Sequence, residues 1–466
     1  MPIDPYLVVR AGSLYVAVLL TAAAWMWRRP GRRAFSGAVL AWFWNLPAVL
    51  ALHLAADRLG WWNMKADGGV LLGMPVDVYL SWAWLWGAVP ALAFPSLPIV
   101  LVAAIALAFD LALMPAAAPV LRLGPAWLIG EGIGLALCLI PSQLLARWTV
   151  RDAQLAGRAA LQVVAFSGLL LFVLPAVAID VSGGAWLNPV DRPVWQISLW
   201  VQLLMVPAIV GLSAVQEFVM RGGGTPVPFD PPQRLVVTGP YAYVRNPMQL
   251  SAVVLLALLG LFLRNPWVAA AGIMAHLYST GIAGWDEDED LRRRFGDNWL
   301  AYAGNVRPWV PRLRPWRRPG DLPARLFVAS GCGMCSEVGG WFARHHARGL
   351  AIVAAETHES RALTRITFEP AGGGPEATGV EAVARALEHV HLGWAFAGWA
   401  LRLPGVRWFA QLLTDASGGE PRRIGISHVP HPSAIGRLDP AVSSRIEDPR
   451  PVVRTGRDRQ QGSGGL

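Results

Sequence analysis

Hydrophobic residues in this chain fall in long, nearly unbroken runs, not in the alternating or one-sided patterns of soluble strands and helices. A bilayer core about 30 Å thick takes about 20 apolar residues in helical form. Runs of that order occupy 11–27, 35–55, 69–94, 96–116, 124–146, 158–180 and 194–220. Two more, 248–264 and 265–284, meet at Arg264-Asn265-Pro266 as a hairpin. The pattern predicts a polytopic α-helical membrane protein with about nine spans. Pro47, Pro75, Pro90, Pro141, Pro175 and Pro207 lie inside runs and are read as kinks, since neighbouring helices can satisfy the carbonyls they free. The first run is not read as a cleaved signal peptide, because its basic cluster follows the apolar stretch.

Composition supports this reading. Of 466 residues 54% are hydrophobic and 15% charged, against about 25% charged in soluble domains. The net charge of +9 is nearly all arginine, with Lys65 the lone lysine. A genomic bias explains that more simply than a nucleic-acid partner, and none is expected. Three cysteines exclude a disulfide framework. Arginines fix the expected orientation. Arg28, Arg29, Arg32 and Arg33 follow the first run; Arg147, Arg151 and Arg158 follow the fifth; Arg221, Arg234 and Arg245 follow the seventh; Arg292 to Arg294 follow the ninth. The alternate loops carry fewer cations, so the N-terminus is expected outside and the C-terminus in the cytoplasm. Trp61-Trp62, Trp186 and Trp195 would then belong to an outer interfacial belt.

After Trp316 the pattern changes. A β-like run, helical periodicity and polar loops over 321–425 suggest a small soluble α/β domain, and 426–466 reads as a disordered tail. The expected division is 1–190, an N-terminal helical membrane domain of unknown role; 191–320, a second membrane domain; then the α/β domain and the tail.

The chemistry concentrates in two segments. Gly239-Pro-Tyr-Ala-Tyr-Val-Arg-Asn-Pro-Met-Gln249 lies in a proline-stiffened loop before the hairpin. Asp286-Glu-Asp-Glu-Asp-Leu-Arg-Arg-Arg-Phe-Gly296, Trp299, Tyr302 and Val310-Pro-Arg312 follow it. A short hairpin returns to the face it left, so Arg245 and Asn246 should meet Glu287 and Asp288 at one membrane surface. By itself such a cluster is often no more than a solvated helix end. Both segments, at their separation, resemble the isoprenylcysteine carboxyl methyltransferase and phospholipid methyltransferase superfamily in its bacterial form. The family pattern reads Gly-Pro-Tyr-x-x-x-Arg-(His/Asn)-Pro-Met-Tyr, then Glu-Glu-x-x-Leu-x-x-x-Phe-Gly and Val-Pro-Arg. Departures are Gln249 for the second tyrosine and Asp288 for the second acid.

The resemblance implies a membrane S-adenosylmethionine-dependent methyltransferase, with Arg245 and Glu287 as catalytic residues. It implies cofactor contacts from Gly239, Pro240, Tyr241, Arg245, Asn246, Pro247, Glu287 and Asp288, and substrate contacts from Gln249 and Tyr302. The substrate would be a membrane lipid or a prenylated small molecule, with carboxyl O-methylation favoured, at the cytoplasmic face of a bacterial inner membrane. A carboxylate acceptor needs no general base, so positioning and exclusion of water can supply most of the rate. Arg245 suits a bidentate clamp on the cofactor carboxylate, and no metal ligands are expected.

Cys332-Gly-Met-Cys335 follows the strand-like Leu326-Phe-Val and precedes a helical stretch. That order puts the first sulfur at a helix N-terminus, where the dipole favours the thiolate. The segment resembles the DCC family of thioredoxin-like proteins, with Ser330-Gly331 where that family has Asp-Gly. The resemblance implies a thioredoxin-like domain and a thiol-redox partner. A thiol-disulfide membrane protein is therefore the alternative function. Asp77, Asp110, Glu131, Asn45 and His53 fall within or beside apolar runs; such groups either pair internally or mark a site. Gly73-Met-Pro-Val-Asp77 resembles, in its proline and one acid, a segment of small membrane lycopene cyclases. This leaves isoprenoid or carotenoid modification by the N-terminal half as a further alternative.

Overall fold

The computed structural model describes residues 4–184, 186, 191–227 and 230–422. The expected tail lies outside the described residues. Among the described residues, six helical stretches are long and apolar enough to cross a membrane: Pro5–Arg28, Arg32–Leu59, Ile99–Ala116, Trp127–Arg151, Leu155–Val181 and Val194–Gly222. The chain is a membrane-embedded helical protein. In order, its first elements are α1 (Pro5–Arg28), α2 (Arg32–Leu59), β1 (Trp62–Met64), β2 (Val70–Leu71), β3 (Met74–Pro75), α3 (Val76–Trp86), α4 (Ala88–Ala93), α5 (Ile99–Ala116) and β4 (Leu121–Leu123). Then come α6 (Trp127–Gly134) and α7 (Ile140–Arg151), joined by a π turn, α8 (Leu155–Gly168) and α9 (Leu174–Val181), joined likewise, and α10 (Val194–Glu217).

The apolar run 69–94 does not form one helix. It opens with the β2–β3 hairpin and then breaks between α3 and α4 at Gly87. A Cβ at Gly87 would lie 2.8 Å from the Ala41 carbonyl of α2, so the close approach of two backbones needs glycine there. The carbonyls freed by the break are met from α7: Gln143 Nε2 donates to Trp86 O at 3.0 Å and Gly87 O at 2.9 Å, and Ser142 Oγ donates to Trp86 O at 3.0 Å. Side chains of a neighbouring helix thus allow irregular backbone inside an apolar bundle. Trp62 also departs from expectation. It is 1% exposed, sits on β1 against Trp82, and belongs to the core and not to an interfacial belt. Trp195 remains exposed.

The second half begins with α11 (Pro247–Leu263) and α12 (Pro266–Thr280), shorter than the six long stretches. Their turn is made by Arg264 at φ 55° and by Asn265, whose side chain caps α12 by accepting from the Trp267 and Val268 N–H groups at 3.0 and 3.2 Å. Small residues let the hairpin close: a Cβ on Gly260 would sit 2.3 Å from the Ala269 nitrogen. α13 (Ile282–Phe295) and α14 (Asp297–Ala303) follow.

The last unit holds β5 (Ala324–Val328), α15 (Gly333–Arg344), β6 (Leu350–Ala354), β7 (Thr367–Glu369), β8 (Ala377–Thr378), α16 (Val380–Leu387), α17 (Leu392–Arg402) and α18 (Pro404–Thr414). Its sheet order is β6-β5-β7-β8, with β5 parallel to β6 and antiparallel to β7, and β7 antiparallel to β8. Leu326, Val328, Phe342, Phe368, Ala382 and Ala386 fill its core. Glu217, at the end of α10, binds it to the membrane base: Arg385 of α16 and Arg402 of α17 reach that carboxylate at 2.9 and 2.8 Å.

Candidate functional site

The two halves of the sequence motif build one cavity. Gly239–Ala242 forms a short 3-10 turn, with Gly239 at φ 59° against the Glu217 side chain. The chain then runs to Asn246 as a strap. The returning segment lies along it: Arg245 N–H donates to Arg307 O at 3.0 Å, Asn246 N–H to Pro308 O at 3.2 Å, and Arg312 N–H to Tyr243 O at 2.9 Å. The Val310-Pro-Arg element therefore crosses back over the strap and fixes where Arg245 sits.

A cavity of about 690 Å³ opens beside this crossing, lined by Arg245, Asn246, Ser279, Thr280, Glu287, Asp288, Arg292, Trp299 and Trp309 among others. The Arg245 guanidinium lies over the Trp299 ring, 5.4 Å from its centre, an attractive arrangement for a cation on an aromatic face. Trp299 is itself held, its Nε1–H donating to Asp288 Oδ1 at 3.1 Å. The N-terminus of α11 starts at Pro247, immediately after Asn246, and adds a partial positive charge on that side.

The acidic run sorts by helical spacing. Asp288, Glu289 and Asp290 each meet an arginine four residues on, Arg292, Arg293 and Arg294. Glu287 has Leu291 at that position and no such partner, so it is the acid left for the cavity. Part of it is open to solvent there. The surrounding protein nonetheless raises its carboxyl above the ordinary range, while the Gln249 amide and Arg245 oppose the rise. Among the described residues, the Gln249 Oε1 and the Tyr241 hydroxyl are buried with no hydrogen-bond partner.

Arg245, Asn246, Glu287 and Asp288 are thus brought together as expected from the hairpin. Gly239, Pro240 and Tyr241 are buried behind the wall, not among its lining residues, and support the strap. Pro247 is likewise buried. Tyr302, expected at the substrate, is 1% exposed and spends its hydroxyl on the Tyr241 carbonyl at 2.8 Å. Its position is that of a prop under the turn.

In the C-terminal unit, Cys332 caps α15, and the Cys335 N–H points to its Sγ at 3.4 Å. Hydrogen bonding from the Cys335 thiol pulls the Cys332 thiol below its ordinary value, and burial pushes Cys335 up to about 12. Ser330 donates its N–H and hydroxyl to Glu356 at 2.9 and 2.8 Å. Among the described residues, no group of three or more His, Cys, Asp or Glu gathers as a metal site.

Of the intramembrane polar residues, several are paired locally. Asp77 takes Arg10 at 2.8 Å, Asn45 donates to Ala41 O at 3.0 Å, and His53 meets Leu72 O at 3.3 Å. Asp110 and Glu131 instead lie against each other, with Trp86 Nε1–H donating to Asp110 at 3.0 Å. Asp110 also lines an apolar cavity of about 260 Å³ between α1, α3 and α5. The sequence reading flagged both acids but not their pairing. It passed over Glu217 altogether, although an acid near the end of an apolar run with Arg221 one turn on is a readable signal. No protein-family model, curated protein or solved structure matches the chain.

Proposed function

We propose that the chain is an integral membrane methyltransferase using S-adenosylmethionine, acting on a lipidic or prenylated substrate at the cytoplasmic face, with carboxyl O-methylation as its reaction. One observation carries this reading: Arg245, just before α11, and Glu287, within α13, come from the two motif segments and line one cavity. The cavity volume falls in the ordinary range for small-molecule sites, roughly 300–1,000 Å³. A guanidinium, an acid without a helix partner, and the Asn246, Ser279 and Thr280 side chains in the lining are groups that a zwitterionic amino-acid moiety and a ribose would use. When bound, the cofactor supplies an electrophilic methyl group. Arg245, steadied on Trp299, would hold its carboxylate. Glu287 would balance its ammonium, and the N-terminus of α11 would favour an anionic acceptor. In this reading α3–α4, α11 and α12 also cross the bilayer, giving nine spans with the N-terminus outside.

The test is mass spectrometry of a membrane lipid extract incubated with purified protein and deuterated methyl donor. Label entering a prenylated or fatty carboxylate supports the proposal. Labelling of no extract component by wild type, or labelling that persists unchanged in Arg245→Ala, rejects it.

A second activity is favoured by the strand order β6-β5-β7-β8 and a CxxC at the N-terminus of the helix after the central strand, which support a thioredoxin-like thiol module. Cys332 should alkylate with iodoacetamide at a lower pH than a free cysteine, and well before Cys335. Equal pH dependence of the two thiols would remove that reading.

A further inference from the structure

Among the described residues, nothing covers the outer face of α18, the last long helix of the C-terminal unit. α18 contains no buried residue, and Trp408 and Phe409 are 66% and 57% exposed, with Leu412 and Leu413 about half exposed. Its opposite side is spoken for. Arg407 pairs with Glu381 at 2.7 Å, and Gln411 accepts from the Val380 N–H at 2.9 Å, so polar contacts hold α18 to α16 with the apolar side outward.

The depth of this helix can be read from α10. From Val194, the roughly 20 residues that cross a hydrocarbon core reach about Ala214. Within that stretch Met205, Val206 and Leu212 are exposed apolar residues facing away from the protein. α17 packs on the same stretch: Ile209 and Val210 share a cluster with Ala395, Trp399 and Leu403, and Ser213 Oγ donates to Trp399 O at 3.4 Å. The C-terminal unit therefore touches α10 above the point where the helix leaves lipid, and α18 begins at the residue after Leu403.

We infer that α18 is an interfacial helix, its Val406, Trp408, Phe409, Leu412 and Leu413 face set into the acyl–headgroup boundary of the leaflet the C-terminal unit adjoins. The occupant is the bilayer because the lipid-facing surface of α10 continues onto the seat of α17 and so onto α18. Tryptophan and phenylalanine on one face and arginine on the other is the amphipathic pattern that lies in such a boundary. The consequence is that the thiol unit is held at two places, by the Glu217 ion pairs and by lipid, with the Cys332 helix kept at fixed height over the membrane.

The experiment uses the full chain, with Cys138, Cys332 and Cys335 replaced by alanine. Trp408→Cys and, separately, Leu412→Cys carry an environment-sensitive fluorophore, in vesicles of phosphatidylethanolamine and phosphatidylglycerol. Glu337→Cys on exposed α15 is the control. The inference expects blue-shifted emission at 408 and 412, quenching by lipids spin-labelled near the glycerol, and loss of the iodide quenching seen at 337. Iodide quenching at 408 and 412 equal to the control overturns it. So does shielding from both quenchers, which would mean a second copy or another protein covers the face.

Discussion

Glu217 and Glu131 are both 0% exposed and both carried by long apolar helical stretches, yet their surroundings differ completely. Glu217 sits among Arg385, Arg402, Arg221 and the Thr238 hydroxyl, and Arg402 also holds Glu388 at 2.6 Å. Neither carboxyl oxygen of Glu131 has a donor, and its neighbour is another acid, Asp110. Two carboxylates side by side with no cation repel one another unless a proton lies between them. Glu217, by contrast, is an anion whose burial is met by guanidinium groups from 168 and 185 residues further along the chain. The first cluster is a clamp between two structural units. The second is a pair of acids, one of which, Asp110, lines a cavity between α1, α3 and α5.

The largest effect should come from the clamp. Glu217→Ala leaves Arg385 buried without its counter-ion and takes one of two carboxylates from Arg402, and should cost about 3–5 kcal/mol. It should be visible as a lower melting temperature in detergent and faster proteolytic release of the C-terminal unit after Trp316. An unchanged melting temperature would mean the ion pairs form no joint. Next in size, Gln143→Leu removes two hydrogen bonds, to the Trp86 and Gly87 carbonyls, and should destabilise by about 1–3 kcal/mol at about 0.5–1.5 kcal/mol each, with Ser142 and the Ala91 N–H still donating there. Glu131→Gln should cost less than about 1.5 kcal/mol, because the amide replaces the shared proton as a donor to Asp110. Dicyclohexylcarbodiimide, which adds to protonated carboxyls in apolar surroundings, sharpens the contrast without mutation. Peptide mapping should find label at Glu131 or Asp110 and none at Glu217; the reverse pattern would invert the comparison.

The same contrast explains what was legible in the sequence. Long helices were readable because a bilayer asks only for sustained apolarity, and the hairpin was readable from Arg264-Asn265-Pro266. The split at Gly87 was not, because its cause is a contact with α2 and rescue by Gln143, both remote in sequence. Glu217 escaped notice since the residues that neutralise it belong to another unit. At the cavity, spacing alone separates Glu287 from its paired neighbours. The structural role of Tyr302 was hidden, because a motif position says that a side chain matters, not whether it faces ligand or props the loop that does.

Arg245 and Glu287 are expected to share one ligand, and calorimetric titration of S-adenosylmethionine into the detergent-purified protein tests that directly. Wild type should bind. Arg245→Ala should bind about 10- to 100-fold more weakly, as expected for losing a charge-assisted contact of about 1.5–3 kcal/mol, with Glu287→Gln weaker than wild type and Glu289→Gln unchanged. Equal affinity in Arg245→Ala, Glu287→Gln and wild type, or no binding by any of them, would contradict it.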